Sequence, residues 1–316
     1  MNNYIIRRIV QAIPLLFVIS IVSFSLIKLA PGDPVLSFVT PDMGADDVAR
    51  IRQSMGLDQP AYVQYFAWFK NVLTGDLGYS LVSHRPVSTM ILERIPATFG
   101  LMGASLLLSL LFALPLSMLA GAKQNSIPDR ILSLLSYIGI SIPSFWFSMM
   151  LIYLFAVEFH WLPSMGMRTI GVDSIWDILK HGILPCTVLT FINVSVYMRY
   201  IRSNTISQLE EDYVQIQYAY GASTGTVLLR HVFKNVILPV VTILGMSLPE
   251  LIAGAFITES VFSWPGMGSL GITAVHGLDY PVIMGITMIS SILLVIGNLA
   301  ADILYGAVDP RIKTTG

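Results

Sequence analysis

Six apolar stretches, each about as long as a bilayer is thick, dominate this chain. A hydrocarbon core of about 30 Å calls for about 20 apolar residues as helix. The stretches are residues 9–27, 97–120, 131–157, 182–198, 235–249 continuing past Glu250 through 251–258, and 281–301; Glu250 is the one charge inside any of them. A backbone in lipid must satisfy its own hydrogen bonds, which helices do. The expected fold is therefore all-α: a polytopic membrane protein with six transmembrane helices. Composition agrees, with 54% hydrophobic residues, 12% charged residues and a mean hydropathy of +0.72. A soluble domain carries about 25% charged residues.

The first stretch follows Arg7 and Arg8, as the core of a signal peptide does. It is too long for that role, where about 7–15 apolar residues are usual, and no small-residue cleavage site follows it. It reads as an uncleaved first helix. Orientation follows from basic residues near the span ends. With the N-terminus inside, the inner segments hold Arg7, Arg8, Lys123, Arg130, Arg199, Arg202, Arg230, Lys234, Arg311 and Lys313. Outside the long loop 30–96, where the rule is weak, the outer segments hold only Arg168 and Lys180, with Lys28 at the edge of helix one. Both termini are expected in the cytoplasm.

Three units follow: 1–96, a first helix and a long outer loop; 97–305, the transmembrane core with a cytoplasmic loop at 199–234; and 306–316, a cytoplasmic tail. In the outer loop, Tyr62–Leu73 mixes aromatic and polar residues and reads as a helix on the outer face, offering Tyr62, Tyr65, Phe66, Trp68 and Phe69 to another protein. The plainer alternative packs them on the chain's own helices.

Several chemistries are excluded. No G-x-x-x-x-G-K-[ST] phosphate loop occurs, so the chain has no P-loop for ATP hydrolysis. Gly266–Gly271 matches G-x-G-x-x-G, but the dinucleotide reading needs a strand before it and a helix after it in a βαβ unit. It reads instead as a glycine-rich turn dipping toward the membrane. Asn193-Val194-Ser195 lies inside a span and is inert as a glycosylation site. Cys186 is the only cysteine and reads as a packed thiol. No metal site is expected, and no cofactor in this chain.

The cytoplasmic loop is the informative one. Ile206, Leu209, Tyr213, Ile216 and Tyr220 are spaced three and four apart, which predicts one apolar stripe along one helix. Glu211 and Asp212 lie beside it, and Gly221-Ala222-Ser223 stops the helix, as a glycine at a helix C-terminus does. A helix resting on lipid headgroups would carry more Lys and Arg on its polar face. Three adjacent acids, Glu210–Asp212, suit a groove in a partner protein better.

Glu211-Asp212-Tyr213-Val214, Ala219-Tyr220-Gly221-Ala222, Leu228-Leu229-Arg230-His231 and residues 235–239 together resemble the coupling loop of ABC importer permeases of the peptide subfamily. APGDP at 30–34, GLDQP at 56–60, GDLGY at 75–79, ERIPAT at 93–98, ESVFSWPGMGSL at 259–270 and DPRI at 309–312 extend the resemblance over nearly the whole chain. The general motif, E-A-A-x-x-x-G, has Gln215, Ile216 and Gln217 in place of its first three letters here. Pro239 lies farther from Gly221 than in that motif, as it does across the peptide subfamily. Glu211 and Asp212 are the candidates for the motif's glutamate.

The resemblance implies a type I importer permease of the bacterial cell membrane, the first membrane subunit of an oligopeptide or dipeptide importer. It implies four kinds of partner: a second homologous permease subunit, two ABC ATPase subunits that bind ATP and magnesium, an extracytoplasmic peptide-binding protein, and membrane lipid. The chain itself is then non-catalytic and binds no nucleic acid. Nickel chelates, glutathione or another small solute are alternative cargoes on the same architecture. A self-sufficient ion-coupled secondary transporter is the alternative from another class; it has no need of an acidic, partner-shaped loop.

The coupling residues expected are Ile206, Leu209, Glu211, Asp212, Tyr213, Ile216, Tyr220, Gly221 and Ala222. For the solute path, Glu250 leads, because an ionisable group inside a span is costly and faces a bundle interior or water. Asn193, Tyr197 and Ser141 are the further polar points. The plainer reading of each is helix packing, where small and hydroxylated side chains let helices approach.

Overall fold

The computed structural model describes residues 2–29, 35, 39, 42–54, 56–237, 240 and 255–308. Among them the regular structure is helical, apart from one isolated antiparallel bridge between Tyr79 and Pro86. Four helices are long and apolar enough to cross a membrane: α1 (Asn2–Leu29), α4 (Val87–Ala122), α7 (Ile175–Leu209) and α12 (Tyr280–Val308). They contain the first, second, fourth and sixth apolar runs and extend past them. A helix does not end where its residues turn polar; α7 carries Arg199 and Arg202 beyond the apolar run because its backbone bonds continue in water. The fifth run falls largely outside the described residues, and Glu250 with it.

The third run departs from the expectation of one helix. It is two helices, α5 (Ile127–Ser141) and α6 (Ser144–Ile152), the second running into a π-helical turn at Tyr153–Glu158. The two are bent by 101°. Pro143 is the cause. It clashes with the α conformation of the residue before it, and Ile142 is extended, at φ −78° and ψ 124°. Apolarity alone cannot reveal such an elbow, because both arms are equally apolar.

The core is a parallel pair, α4 and α7, with α5 antiparallel beside α7. Small residues set their spacing. The Ser109 hydroxyl donates to Ser105 O at 2.6 Å and reaches Thr190 O across the pair at 3.4 Å. A Cβ on Gly139 would lie 2.0 Å from Ser195 Oγ, and Ser136 donates to Ser195 O at 2.5 Å. Ser195 therefore packs two helices, as hydroxylated residues in spans do.

At the end of α4 away from the loop after Met198, α10 (Phe256–Val261) and α11 (Met267–His276) fold back against α4. Here Gly266–Gly271 corrects the reading of a mere turn. Gly266 precedes α11, and the remaining residues form its first turns. A Cβ on Gly266 would meet the Glu259 carboxylate at 2.4 Å, one on Gly268 the Phe256 Cα at 2.7 Å, and one on Gly271 the Phe256 ring at 2.9 Å. The glycine pattern is a packing device. The segment between α6 and α7 is fastened by Asp177, which accepts Thr169 N–H at 2.6 Å and its hydroxyl at 2.9 Å, and by buried His181 beside Met165 O.

In the long loop after α1, α2 (Ala45–Ser54) and α3 (Ala61–Leu73) form. Tyr65 is buried against α1, its hydroxyl 2.8 Å from Ser20 Oγ, and Phe69 sits edge-on to Phe17. Part of the aromatic helix is thus spent on the chain's own first span. Tyr62 and Phe66 stay exposed.

Candidate functional site

The stretch after Met198, expected in the cytoplasm, begins as the last turns of α7. The helix stops at Leu209, and α8 (Asp212–Ala219) starts afresh. Ile206 and Leu209 therefore belong to one helix, Tyr213 and Ile216 to another, and Tyr220 caps the second. The single stripe read from the spacing is corrected to two short ones. Electrostatics explains the break: acids oppose the negative C-terminal end of a helix and favour the positive N-terminal end of the next. Glu210 and Glu211 make the connection, and Asp212 falls in the first turn of α8.

The end of α8 is a Schellman closure. Gly221 N–H donates to Tyr218 O at 2.9 Å and Ala222 N–H to Gln217 O at 3.0 Å, with Gly221 at φ +81°. Nothing lies within 4 Å of a Cβ placed on Gly221, so its requirement is conformational and not steric. The chain continues through α9 (Thr224–Thr226), capped by the Ser223 hydroxyl, into a π-helical turn at Val227–Val232.

Burial divides the loop into a base and a face. Val214, Val227, Val232 and Val236 are buried together with Met118, Tyr197 and Ile201, and Leu209, Tyr213 and Ala222 pack on that cluster. The Tyr213 hydroxyl donates to Gln208 at 2.9 Å. On the other side Ile216 is 52% exposed, Leu229 74% and Tyr220 85%. Glu211 and Asp212 are exposed at its edge. The loop is thus anchored to the membrane core while leaving an apolar, acid-edged face uncovered. The sequence offered Leu229 only within the Leu228-Leu229-Arg230-His231 match; the structure leaves it exposed while Val227 and Val232 are buried.

Below the loop, Arg202 on α7 makes a two-pronged ion pair with Asp129 on α5, at 2.5 Å from Nε and 2.8 Å from the terminal nitrogen. Asp129 also accepts Asn125 N–H at 2.8 Å.

The expected path residues are not brought together. Tyr197 is buried in the cluster under the loop. Ser141 is exposed at the elbow, donating to Tyr137 O at 2.8 Å, and Asn193 is half-buried on α7. None of the three lines the main open groove, about 980 Å³ and almost wholly apolar, which runs along α4, α5 and α7 past Gly100, Ala104, Thr187 and Thr190. Among the described residues no group of His, Cys, Asp and Glu is arranged to hold a metal.

Comparison with known proteins adds the following. Residues 113–314 match the family described as binding-protein-dependent transport system inner membrane component, and residues 1–102 match its N-terminal companion family. The oligopeptide transport system permease protein AppB of Bacillus subtilis is 41% identical over 315 residues, covering 99% of this chain and 100% of the relative. The glutathione transport system permease protein GsiC of Salmonella typhimurium is 38% identical over 313 residues, 99% of each chain. Among solved structures, an inward-facing form of the MetNI methionine ABC transporter aligns with a TM-score of 0.52 at 15% identity, over 70% of this chain and 97% of that one. That likeness concerns the fold.

Proposed function

This chain belongs to the binding-protein-dependent transport family of inner membrane components, and from that premise we propose how it works. It is a permease subunit of a bacterial ABC importer, and peptide is its cargo; full-length identity to an oligopeptide permease supports that cargo best. As a membrane subunit of this family it is non-catalytic.

The energy is borrowed, through differential contact of a partner with two states of the permease. The face formed by Ile216, Tyr220 and Leu229, edged by Glu211 and Asp212, is where two ATPase subunits, one per permease subunit, engage the importer. The observation that carries this is the division of the loop: its buried valines hold it to the core, while large apolar side chains are exposed among the described residues. A second, homologous permease subunit completes the pore, and an extracytoplasmic binding protein delivers the peptide. ATP and magnesium bind in the ATPase partners.

Two measurements test this. Affinity-tagged chain, purified in detergent with its neighbours co-expressed, should retain ATPase subunits. Cells deleted for the chain should lose uptake of labelled oligopeptide and regain it on complementation. Intact peptide uptake in the deletion, with loss of glutathione uptake, would move the cargo to that of the GsiC relative.

A further inference from the structure

Three helices meet at the cytoplasmic edge just below the docking loop. Asp129 stands in the first turn of α5, two residues from its start. Its carboxylate is almost wholly shielded, with the side chain 4% exposed, and grips Arg202 through both oxygens. The same oxygens take Asn125 N–H and the Ser133 hydroxyl, so the turn from α4 to α5 is fastened at the same point. One turn farther along α7, Thr205 meets Gly121 at the end of α4, where a Cβ would sit 2.8 Å from it. Arg202 lies seven residues before Leu209, after which α8 begins.

Above this clamp α5 stays on α7. Ser136 bonds Ser195 O, and Gly139 closes on Ser195. Two residues beyond Gly139 the helix ends, and after Ile142 and Pro143 the chain turns through 101° into α6. A two-pronged arginine–carboxylate pair is directional and strong where shielded. It ties α5 to α7 at the base of the loop, and the elbow is where α5 ends.

We propose that Asp129 and Arg202 are positioning residues that carry movement of the docking loop into α5 and so to the elbow at Ile142–Pro143. The pair is the link between ATPase engagement and rearrangement of the membrane part. This rests on the reading of the loop as the ATPase-docking site.

Removing one partner would strand a buried charge and could unfold the region. The test variant is therefore the double neutral change, Asp129→Asn with Arg202→Gln. The assembled transporter is reconstituted in liposomes with Cys186→Ser, which removes the chain's only cysteine. Ser141→Cys at the elbow is the reporter, labelled by a water-soluble maleimide with and without vanadate-trapped ATP. With the pair intact, trapping should change the labelling rate about threefold or more, as expected where nucleotide binding favours one of two states. In the double variant the change should vanish while ATP hydrolysis stays within about twofold of the parent. A charge-retaining Arg202→Lys should keep part of the response, because one contact survives. No nucleotide response with the pair intact overturns the proposal, and so does a full response in the double variant. Parallel loss of hydrolysis and response overturns it too, since a merely structural pair would give that. Labelling needs no cargo, so a transporter that refuses peptide sinks the cargo reading and leaves this one decided. Loss of docking is read separately by retention of ATPase subunits.

Discussion

Thr98 donates its hydroxyl to the Glu259 carboxylate at 2.9 Å across 161 residues of sequence, and both side chains are wholly buried. The other carboxylate oxygen accepts Ser269 N–H at 3.0 Å, and Thr98 Oγ1 accepts Met267 N–H at 2.7 Å. The start of α11 is thus capped by an acid from α10, as the positive end of a helix favours. Trp264 closes the same joint, its indole donating to Ala97 O at 3.0 Å. This joint holds the outer hairpin on α4.

Thr98→Val should therefore destabilise the protein. It keeps the shape of the side chain but leaves Met267 N–H and one carboxylate oxygen unpaired, at about 1–3 kcal/mol for each buried group. Thermal unfolding in detergent should show a clearly lower midpoint and lower membrane abundance. An unchanged midpoint would mean that the joint contributes nothing to stability.

The glycines of the same joint make a steric contrast. Gly268→Ala should remove most of the protein from the membrane, because its Cβ would press on the Phe256 backbone at 2.7 Å. Gly100→Ala, on the exposed side of α4 with nothing within 4 Å, should leave abundance intact. Immunoblots of membranes compare the two; equal abundance would refute the packing account of Gly266–Gly271.

Docking and folding should separate within the loop. Ile216→Ser with Tyr220→Ser removes exposed apolar area worth about 1.5–3 kcal/mol per side chain if buried in a partner. ATPase retention should fall at least about tenfold with abundance unchanged. Val214→Ala cuts into the buried cluster and should instead lower abundance. Reversing Glu211 and Asp212 to Lys should weaken retention more at low salt than at high salt, because exposed charges are screened. Full retention by the double Ser variant would return residues 212–220 to the lipid surface.

At Gly221 the constraint is backbone alone. Gly221→Asp places at φ near +81° a residue that tolerates the left-handed region better than most, so its main effect is the charge it adds to the docking face. Uptake should be lost with the protein still in the membrane. Gly221→Asn should keep more uptake than Gly221→Val, because Asn tolerates the left-handed conformation and a β-branched residue does not. Equal uptake for Asn and Val would show that the Schellman closure is dispensable.

Topology is tested at Ser83, in the exposed turn after Tyr79. In the Cys186→Ser background, Ser83→Cys should react with an impermeant thiol reagent added to intact cells whose outer envelope admits it. Reaction only after the inner membrane is opened would reverse the orientation.

The sequence by itself determined that helices cross a membrane and where the apolar parts of α1, α4, α7 and α12 lie, and it singled out the loop after Met198 as the one proposed to face a partner. Those conclusions depend on composition over about 20 residues and on spacing within a few turns, and such local quantities need no knowledge of neighbours. It also marked Gly221, because a chain reversal after a helix has a local chemical signature. Tertiary structure decided the rest. Ile216 and Tyr220 face water while Tyr213 and Leu209 pack inward, because Glu210 and Glu211 break the helix and reset its face. Tyr197, one of the polar points named in the sequence, is buried, since burial depends on α4 and on the valines of the returning loop. The pairs Asp129–Arg202 and Thr98–Glu259 join residues 73 and 161 positions apart. No periodicity connects such positions; only the packing of helices brings a buried acid to its donors.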